Sequence, residues 1–247
     1  MKLHERLIEI ATPWAEGRTV KDLRFGLGYS CAELNNGHSG IACTLLFENS
    51  ASCTHVAAAG QIAGSPAAEV LGWLKNDNDL ERAAGLAVFN ALNASHNRNF
   101  VEGEATSLLK IDKNDHVVMV GFFGPVIPNI KATGCRLEIV ELNPDKPGVI
   151  TPEQGFKALA ECDVAIITST SIINGTCDGL IEALKRNRAA VMLGPSTPMC
   201  PEVFAGTRIT QLSGSYVLDK ARIQTIVSEG GGTRLLKKHL RFSNVMV

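Results

Sequence analysis

Four short segments hold the residues that could bind a small molecule. They are GFFGP (121–125), ELN (141–143), TSTS with INGT (168–171 and 173–176), and GPSTP (194–198). Only the second is charged. Glycine lets a ligand approach the backbone closely, and hydroxyls and amides offer neutral hydrogen bonds. Such a set binds better than it transfers protons. Glu141 stands where a strand ends, the place of a ribose-holding acid in dinucleotide folds, although acids close many strands with no such role. GFFGP is not G-x-G-x-x-G, and Pro125 removes an N–H that a phosphate could use, so NAD chemistry is not expected. Ser196 lies in G-P-S-T-P, where Pro198 replaces the second glycine of a nucleophile elbow. No acid and histidine pair follows it, and His239 is expected on a basic terminal helix. Gly230, Gly231 and Gly232 can form an anion nest or simply end a helix.

Two other groups are candidates in the first half. The Glu33 carboxylate could reach across from the first hairpin as a catalytic acid or base, or it could be a solvated strand residue. His38, Cys53 and His55, with Cys31 and Cys43 nearby, are soft or borderline metal ligands. Cys53 and His55 would share one face of a strand. Their spacings match no zinc module, and a free cysteine is often a small buried hydrophobe.

The elements that must position these residues come in two styles. In the first part, segments 21–34 and 40–48 are strand-like, joined by the turn NNGHSG (35–40). Ser65 and Pro66 suit the start of a helix. Leu80, Ala83, Ala84, Ala87, Val88, Ala91 and Leu92 recur with helical period behind an Asn78 cap. The polar stretch 93–104 then marks a boundary, giving domains at 1–105 and 106–247. Beyond it, apolar strands (116–121, 137–142, 163–168, 189–193) alternate with single helices, followed by SYVLD near Ser215 and a helix over 221–228. Strands apolar on both faces mean a parallel sheet covered on both sides. The expected class is α/β: an N-terminal α+β domain of antiparallel hairpin and helices, then a Rossmann-like, doubly wound parallel sheet. Ligands of such sheets sit beyond the carboxyl ends of the strands, near the switch in strand order.

The totals narrow the classes. The 247 residues carry 24 basic and 25 acidic side chains, a formal charge of −1, with no basic stripe. Nucleic acid is therefore not an expected partner. No apolar run approaches the ~20 residues of a membrane span. Seven cysteines, an odd number without C-x-x-C spacing, suit reduced thiols and a cytoplasmic location.

Four long motifs resemble one family closely: VGFFGPVIP (120–128), IITSTSIINGTCDGLIE (166–182), VMLGPSTPM (191–199) and EGGGTRLL (229–236). GLGYSCAEL (26–34) and the strand from Gly40 match its first hairpin. This is the heavy-metal chelation family, which joins an enolase-N-like domain to a Rossmann-like domain. The resemblance covers nearly the whole chain. It implies handling of a heavy metal or of a metal-chelating small molecule in a cleft between the two domains, with a transition metal or metal complex as ligand. It does not imply enolase chemistry, because the chain has no room for the barrel that carries it. The positions carried over are Gly121, Phe123, Gly124, Pro125, Thr168, Asn174, Gly175, Thr176, Gly194, Pro195, Ser196 and Thr197. The cysteines are not part of the pattern. The alternative is an enzyme acting on a phosphorylated or nucleotide-like small molecule, with Glu141 on a ribose. Whether any reaction occurs, and whether the chain self-associates as a homo-oligomer, stays open. A bulky residue at Gly194 is expected to abolish binding.

Overall fold

A computed structural model describes residues 1–45, 54–96, 99–143 and 145–247. Helix α1 (Leu3–Ala11) precedes a meander of β1 (Val20–Phe25), β2 (Tyr29–Leu34) and β3 (Ser39–Cys43), all antiparallel. Helices α2 (Ala67–Gly72) and α3 (Asp79–Asn93) follow. The continuous strand expected over 21–34 is a hairpin. The chain reverses at Gly26–Leu27–Gly28, where the Gly26 N–H donates to the Tyr29 carbonyl at 2.9 Å. A Cβ on Gly26 would lie 2.1 Å from the Val227 carbonyl, so only glycine fits there.

The second part alternates β4 (His116–Val120), α4 (Ile127–Ala132), β5 (Arg136–Val140), β6 (Val149–Ile150), α5 (Pro152–Glu161) and β7 (Val164–Thr168). It continues with α6 (Thr170–Ile173), α7 (Cys177–Ala183), β8 (Ala189–Leu193), α8 (Pro201–Phe204), β9 (Gln211–Val217), α9 (Lys220–Ser228), α10 (Thr233–Leu236) and β10 (Leu240–Met246). The seven-stranded sheet has the order β10-β9-β8-β7-β4-β5-β6. It is parallel except for β10, which runs antiparallel to β9. The class is the expected α/β, and the switch in strand order falls between β4 and β7. The terminal helix expected around His239 is instead a single 3₁₀ turn, Lys237–His239, leading into β10.

Local signals explain most element starts. The Asn78 side chain accepts from the N–H groups of Leu80 and Glu81, at 2.9 and 3.3 Å, and caps α3 as expected. Thr151 and Gln154 form a reciprocal capping box at α5, with Pro152 in its first turn. Ser65 does not cap α2. Its hydroxyl donates to the Gln61 carbonyl, and Pro66 takes the cap position.

One apolar cluster joins the two parts, running from Leu7, Ala87 and Phe89 to Ile167, Met192 and Phe204. Close backbone approach makes this possible. A Cβ on Gly40 of β3 would lie 2.3 Å from the Ala87 carbonyl of α3. Among the described residues no helix is long and apolar enough to cross a membrane.

Candidate functional site

The carboxyl ends of β4, β5 and β7 frame a cavity of roughly 250 Å³ at the switch point. Gly121 takes the chain out of β4 with a φ of +94°, and a Cβ there would sit 3.0 Å from the Thr168 Cβ. This turn sends Phe122 and Phe123 into the wall. Gly155 lets α5 rest on β5, since a Cβ would lie 2.6 Å from the Val140 methyls, and α5 then supplies Phe156 as the opposite wall. Phe156 is 42% exposed.

The polar groups cluster along the loops after β5 and β7. Thr168 and Thr170 share a hydroxyl–hydroxyl bond of 2.9 Å, and the Ser171 hydroxyl donates to the Thr168 carbonyl at 2.7 Å. The Asn174 oxygen accepts from both the hydroxyl and the N–H of Thr176. Its Nδ2 group makes no hydrogen bond among the described residues. Burial pushes the Glu141 carboxyl up, but Lys146 at 2.6 Å and the N–H groups of Asn143 and Leu142 outweigh it, so the acid lies below its ordinary pKa and is ionised. The Lys146 ammonium also lies 5.2 Å from the centre of the Phe122 ring. The rim is thus an internally neutralised ion pair set on an aromatic wall.

Among the described lining residues the one ionisable side chain is Glu141, already paired with Lys146. Cys177 begins α7 nearby, but burial pushes its thiol up to about 12. His116, paired with Glu138 at 2.5 Å, sits at the opposite, amino end of β4. A phosphate cradle has little support. Helices α4, α6 and α7 span six, four and seven residues, and Pro125 removes an N–H from the loop after β4 while Pro128 removes one from the first turn of α4. The Gly121 N–H is already donated to the Val140 carbonyl at 2.8 Å.

Six of the expected ligand residues line this cavity: Gly121, Phe123, Glu141, Thr168, Asn174 and Thr176. Gly124, Pro125 and Gly175 lie in the same loops without lining it, and Gly175 turns at φ +74° beneath the Arg82 guanidinium. GPSTP goes elsewhere. Ser196 and Thr197 are 1% exposed, and the Ser196 hydroxyl accepts from the Cys43 N–H of β3 at 2.7 Å. Asn90 of α3 donates to the Ser196 carbonyl, and Ser215 of β9 donates to that of Pro195. This turn is small and uncharged because the first sheet and α3 close over its backbone. Gly194 packs against Ser169, with a φ of +131° and a virtual Cβ 2.7 Å from the serine oxygen. A bulky residue there would strain the fold, so it does not report on binding alone. Phe122, Thr170 and Ser171, inside the same short segments but not among the carried-over positions, also line the cavity, as do Phe156 and Leu180 from outside them. For Phe156 a signal existed, a lone aromatic placed directly after a glycine in its helix.

Glu33 is not in the cavity. Burial raises its pKa, but hydrogen bonds from Lys220 (2.7 Å), Lys21 (3.0 Å) and Gln224 (2.9 Å) prevail and hold it at about 2. It does reach across to the second part, as an ion-pair tie. Of the metal candidates, His38 and His55 do not come together. Cys53 lies outside the described residues, and His55 sits in a bend, not on a strand. The His55 carbonyl accepts from Asn78 at the start of α3, whereas His38 lines a cavity with Ala94 beyond its end. The 15 residues of α3 span about 22 Å, too far for one ion. Among the described residues no group of three His, Cys, Asp or Glu side chains could hold a metal. Burial also keeps Cys31 and Cys43 protonated, with pKa values raised to about 12 and about 11. Gly230 and Gly231 close α9, donating to the Val227 and Ile226 carbonyls, so this run is a helix end.

Two family models match the sequence, over residues 104–246 and 8–93, and both carry the description "Putative heavy-metal chelation". The chain belongs to this family. An uncharacterised protein of Methanocaldococcus jannaschii is 24% identical over 227 residues, covering 88% of this chain and 86% of that protein. A crystal structure of a protein of unknown function from Pyrococcus horikoshii superposes with a TM-score of 0.87 at 23% identity, over the full length of both chains. Another, from Desulfitobacterium hafniense, gives 0.81 at 24% identity, covering 98% of this chain and 99% of that one. At these identities the structures support the shared fold alone.

Proposed function

We propose that this member of the heavy-metal chelation family binds a small organic molecule that brings its metal as a chelate, in the switch-point cavity. The observation that carries this reading is the composition of the cavity: aromatic and aliphatic walls with hydroxyl, amide and one neutralised carboxylate group, and no soft ligand set. A bare heavy-metal ion would need several thiolates or imidazoles at one point. A complex would present a flat, largely apolar ligand to Phe122, Phe123 and Phe156, and its polar edge to Thr168, Asn174 and Thr176. The metal is cargo in this reading, and no bond is made or broken. Residues 106–247 form the binding domain and residues 1–105 brace it.

The test is calorimetric titration with iron(III)–catechol and nickel–bipyridine complexes, set beside the same metals alone and a nucleotide panel. A complex at 100 times its dissociation constant should also raise stability by roughly 2.7 kcal/mol. Phe156→Ala removes one wall at an exposed position and should abolish that binding while the fold persists. Binding of bare ions that survives Phe156→Ala overturns the proposal. The second reading, an enzyme on a nucleotide-like molecule, is favoured only by Glu141 at the end of β5. It requires nucleotide binding that Glu141→Ala removes.

A further inference from the structure

A second cavity, of roughly 410 Å³, lies between the first sheet and the free edge of the large one. Four elements converge on it: the β2–β3 turn with Gly37, His38 and Ser39, strand β9 with Tyr216, the start of α9 with Lys220, and β10 with Arg241. None of its described lining residues is acidic. Two of its lining residues, His38 and Ser39, each carry a buried polar atom, Nδ1 and Oγ, without any hydrogen-bond partner among the described residues. Buried polar groups left unpaired are rare in folded proteins and call for a partner. Both atoms can donate, the ring nitrogen in the tautomer with its proton on Nδ1.

The charges point the same way. The Arg241 guanidinium stacks on the rings of Phe100 and Tyr216, at 4.9 and 5.4 Å from their centres, and makes no ion pair among the described residues. Two aromatic faces therefore hold it in position while its N–H edge stays available. The Lys220 ammonium bonds to Glu33 at 2.7 Å and the Gly37 carbonyl at 3.3 Å, two of its three donors. Glu33 is shared with Lys21, so the basic groups around this tie outnumber the carboxylate. Gly37 turns at φ +86° and would bring a Cβ to 3.3 Å from the Lys220 nitrogen, so a side chain there would crowd the ammonium.

We infer that this cavity binds the phosphate group of a small metabolite. Donor-bearing side chains come from three separate segments, His38 with Ser39, Lys220 and Arg241, and a tetrahedral oxyanion can accept from more sides than a planar carboxylate. The volume exceeds that of the ion alone, which leaves room for the molecule that carries it. The switch-point cavity lies at the ends of β4, β5 and β7, so this site is separate and does not rest on the function proposed for the first.

Titration of the full chain with inorganic phosphate, glycerol 3-phosphate and malonate, each against sodium chloride of matched ionic strength, tests the inference. Saturable binding of both phosphate compounds is expected, and stronger binding of the ester identifies a phosphorylated metabolite over the free ion as the ligand. Arg241→Gln removes a cation that holds no ion pair and should weaken binding at least about tenfold. Ser39→Ala should weaken it as well, while Glu141→Gln and Phe156→Ala leave it unchanged. Unfolding curves of each variant show that the fold is kept. Three results would overturn the inference: no saturable binding above chloride, binding of malonate but not phosphate, or phosphate binding that survives Arg241→Gln.

Discussion

Replacing Glu33 by glutamine should uncouple the first sheet from α9, and the structure sets the size of the effect. The Glu33 side chain is 5% exposed, and three donors from two parts of the chain converge on it. Its carboxyl is held at about 2 in the folded chain, against an ordinary value of 4.5. At 1.36 kcal/mol per tenfold change in the proton equilibrium, this corresponds to about 3 kcal/mol of stability when the group is ionised. Lys21 and Lys220 are themselves 60% and 43% exposed, so solvent screens part of it, and an expected loss of about 2 kcal/mol is reasonable. The sign follows from linkage. The folded pKa is depressed, so the contribution is complete above about pH 4.5 and fades as the pH falls towards 2. The assay is urea unfolding of wild type and Glu33→Gln at pH 7, 5 and 3. The stability gap should be full at pH 7, nearly full at pH 5 and clearly smaller at pH 3. Comparing the two chains cancels the acid sensitivity of the other carboxylates. A gap below ~0.5 kcal/mol at pH 7, or one that does not shrink at pH 3, would refute the ion-pair tie and reopen Glu33 as a functional carboxylate.

Three further outcomes are expected. Ser196→Ala should lower stability by about 1–3 kcal/mol, because the Cys43 N–H loses its acceptor, and should leave binding in the switch-point cavity intact; urea unfolding and calorimetry together check this. Gly40→Ala should cost more than about 3 kcal/mol or prevent folding, since the new methyl meets the backbone of α3 at Ala87 and Ala91; soluble yield and circular dichroism report it. The thiols of Cys31, Cys162 and Cys177, raised by burial to about 12, about 11 and about 12, should resist alkylation at pH 8 in the folded chain and react on unfolding. Peptide mapping by mass spectrometry distinguishes them, and rapid labelling of Cys177 in native protein would contradict its burial.

Much of this protein could be read from local pattern. Apolar runs with turn residues between them gave the strands β4, β5, β7 and β8 and the alternation with helices, because hydrophobic period and caps act within one element. The same logic brought Gly121, Thr168, Asn174 and Glu141 to one edge, since parallel strands joined by right-handed crossovers must all end on the same side. Strand β10 escaped that reading. Its residues LRFSNVM mix Arg, Ser and Asn with the apolar positions, and what holds them extended is seven paired positions along β9.

What the sequence determined by itself was therefore the class of fold and the carboxyl edge at which its open turns lie. Tertiary structure alone decided which of those turns face a cavity. GPSTP has the same chemistry as the loops at Thr168 and Asn174, yet its partner is the Cys43 N–H, 153 positions away. Glu33 could be a catalytic or a solvated residue on sequence grounds, and only the approach of Lys220 and Gln224 from α9 makes it a tie. Likewise Lys220 and Arg241 are unremarkable in sequence and His38 reads there only as a metal candidate, and the three line one cavity only where their segments meet. Periodicity fixes which face of an element is buried, but hydrogen bonds and ion pairs between distant segments depend on how the elements dock, and local spacing carries no record of that.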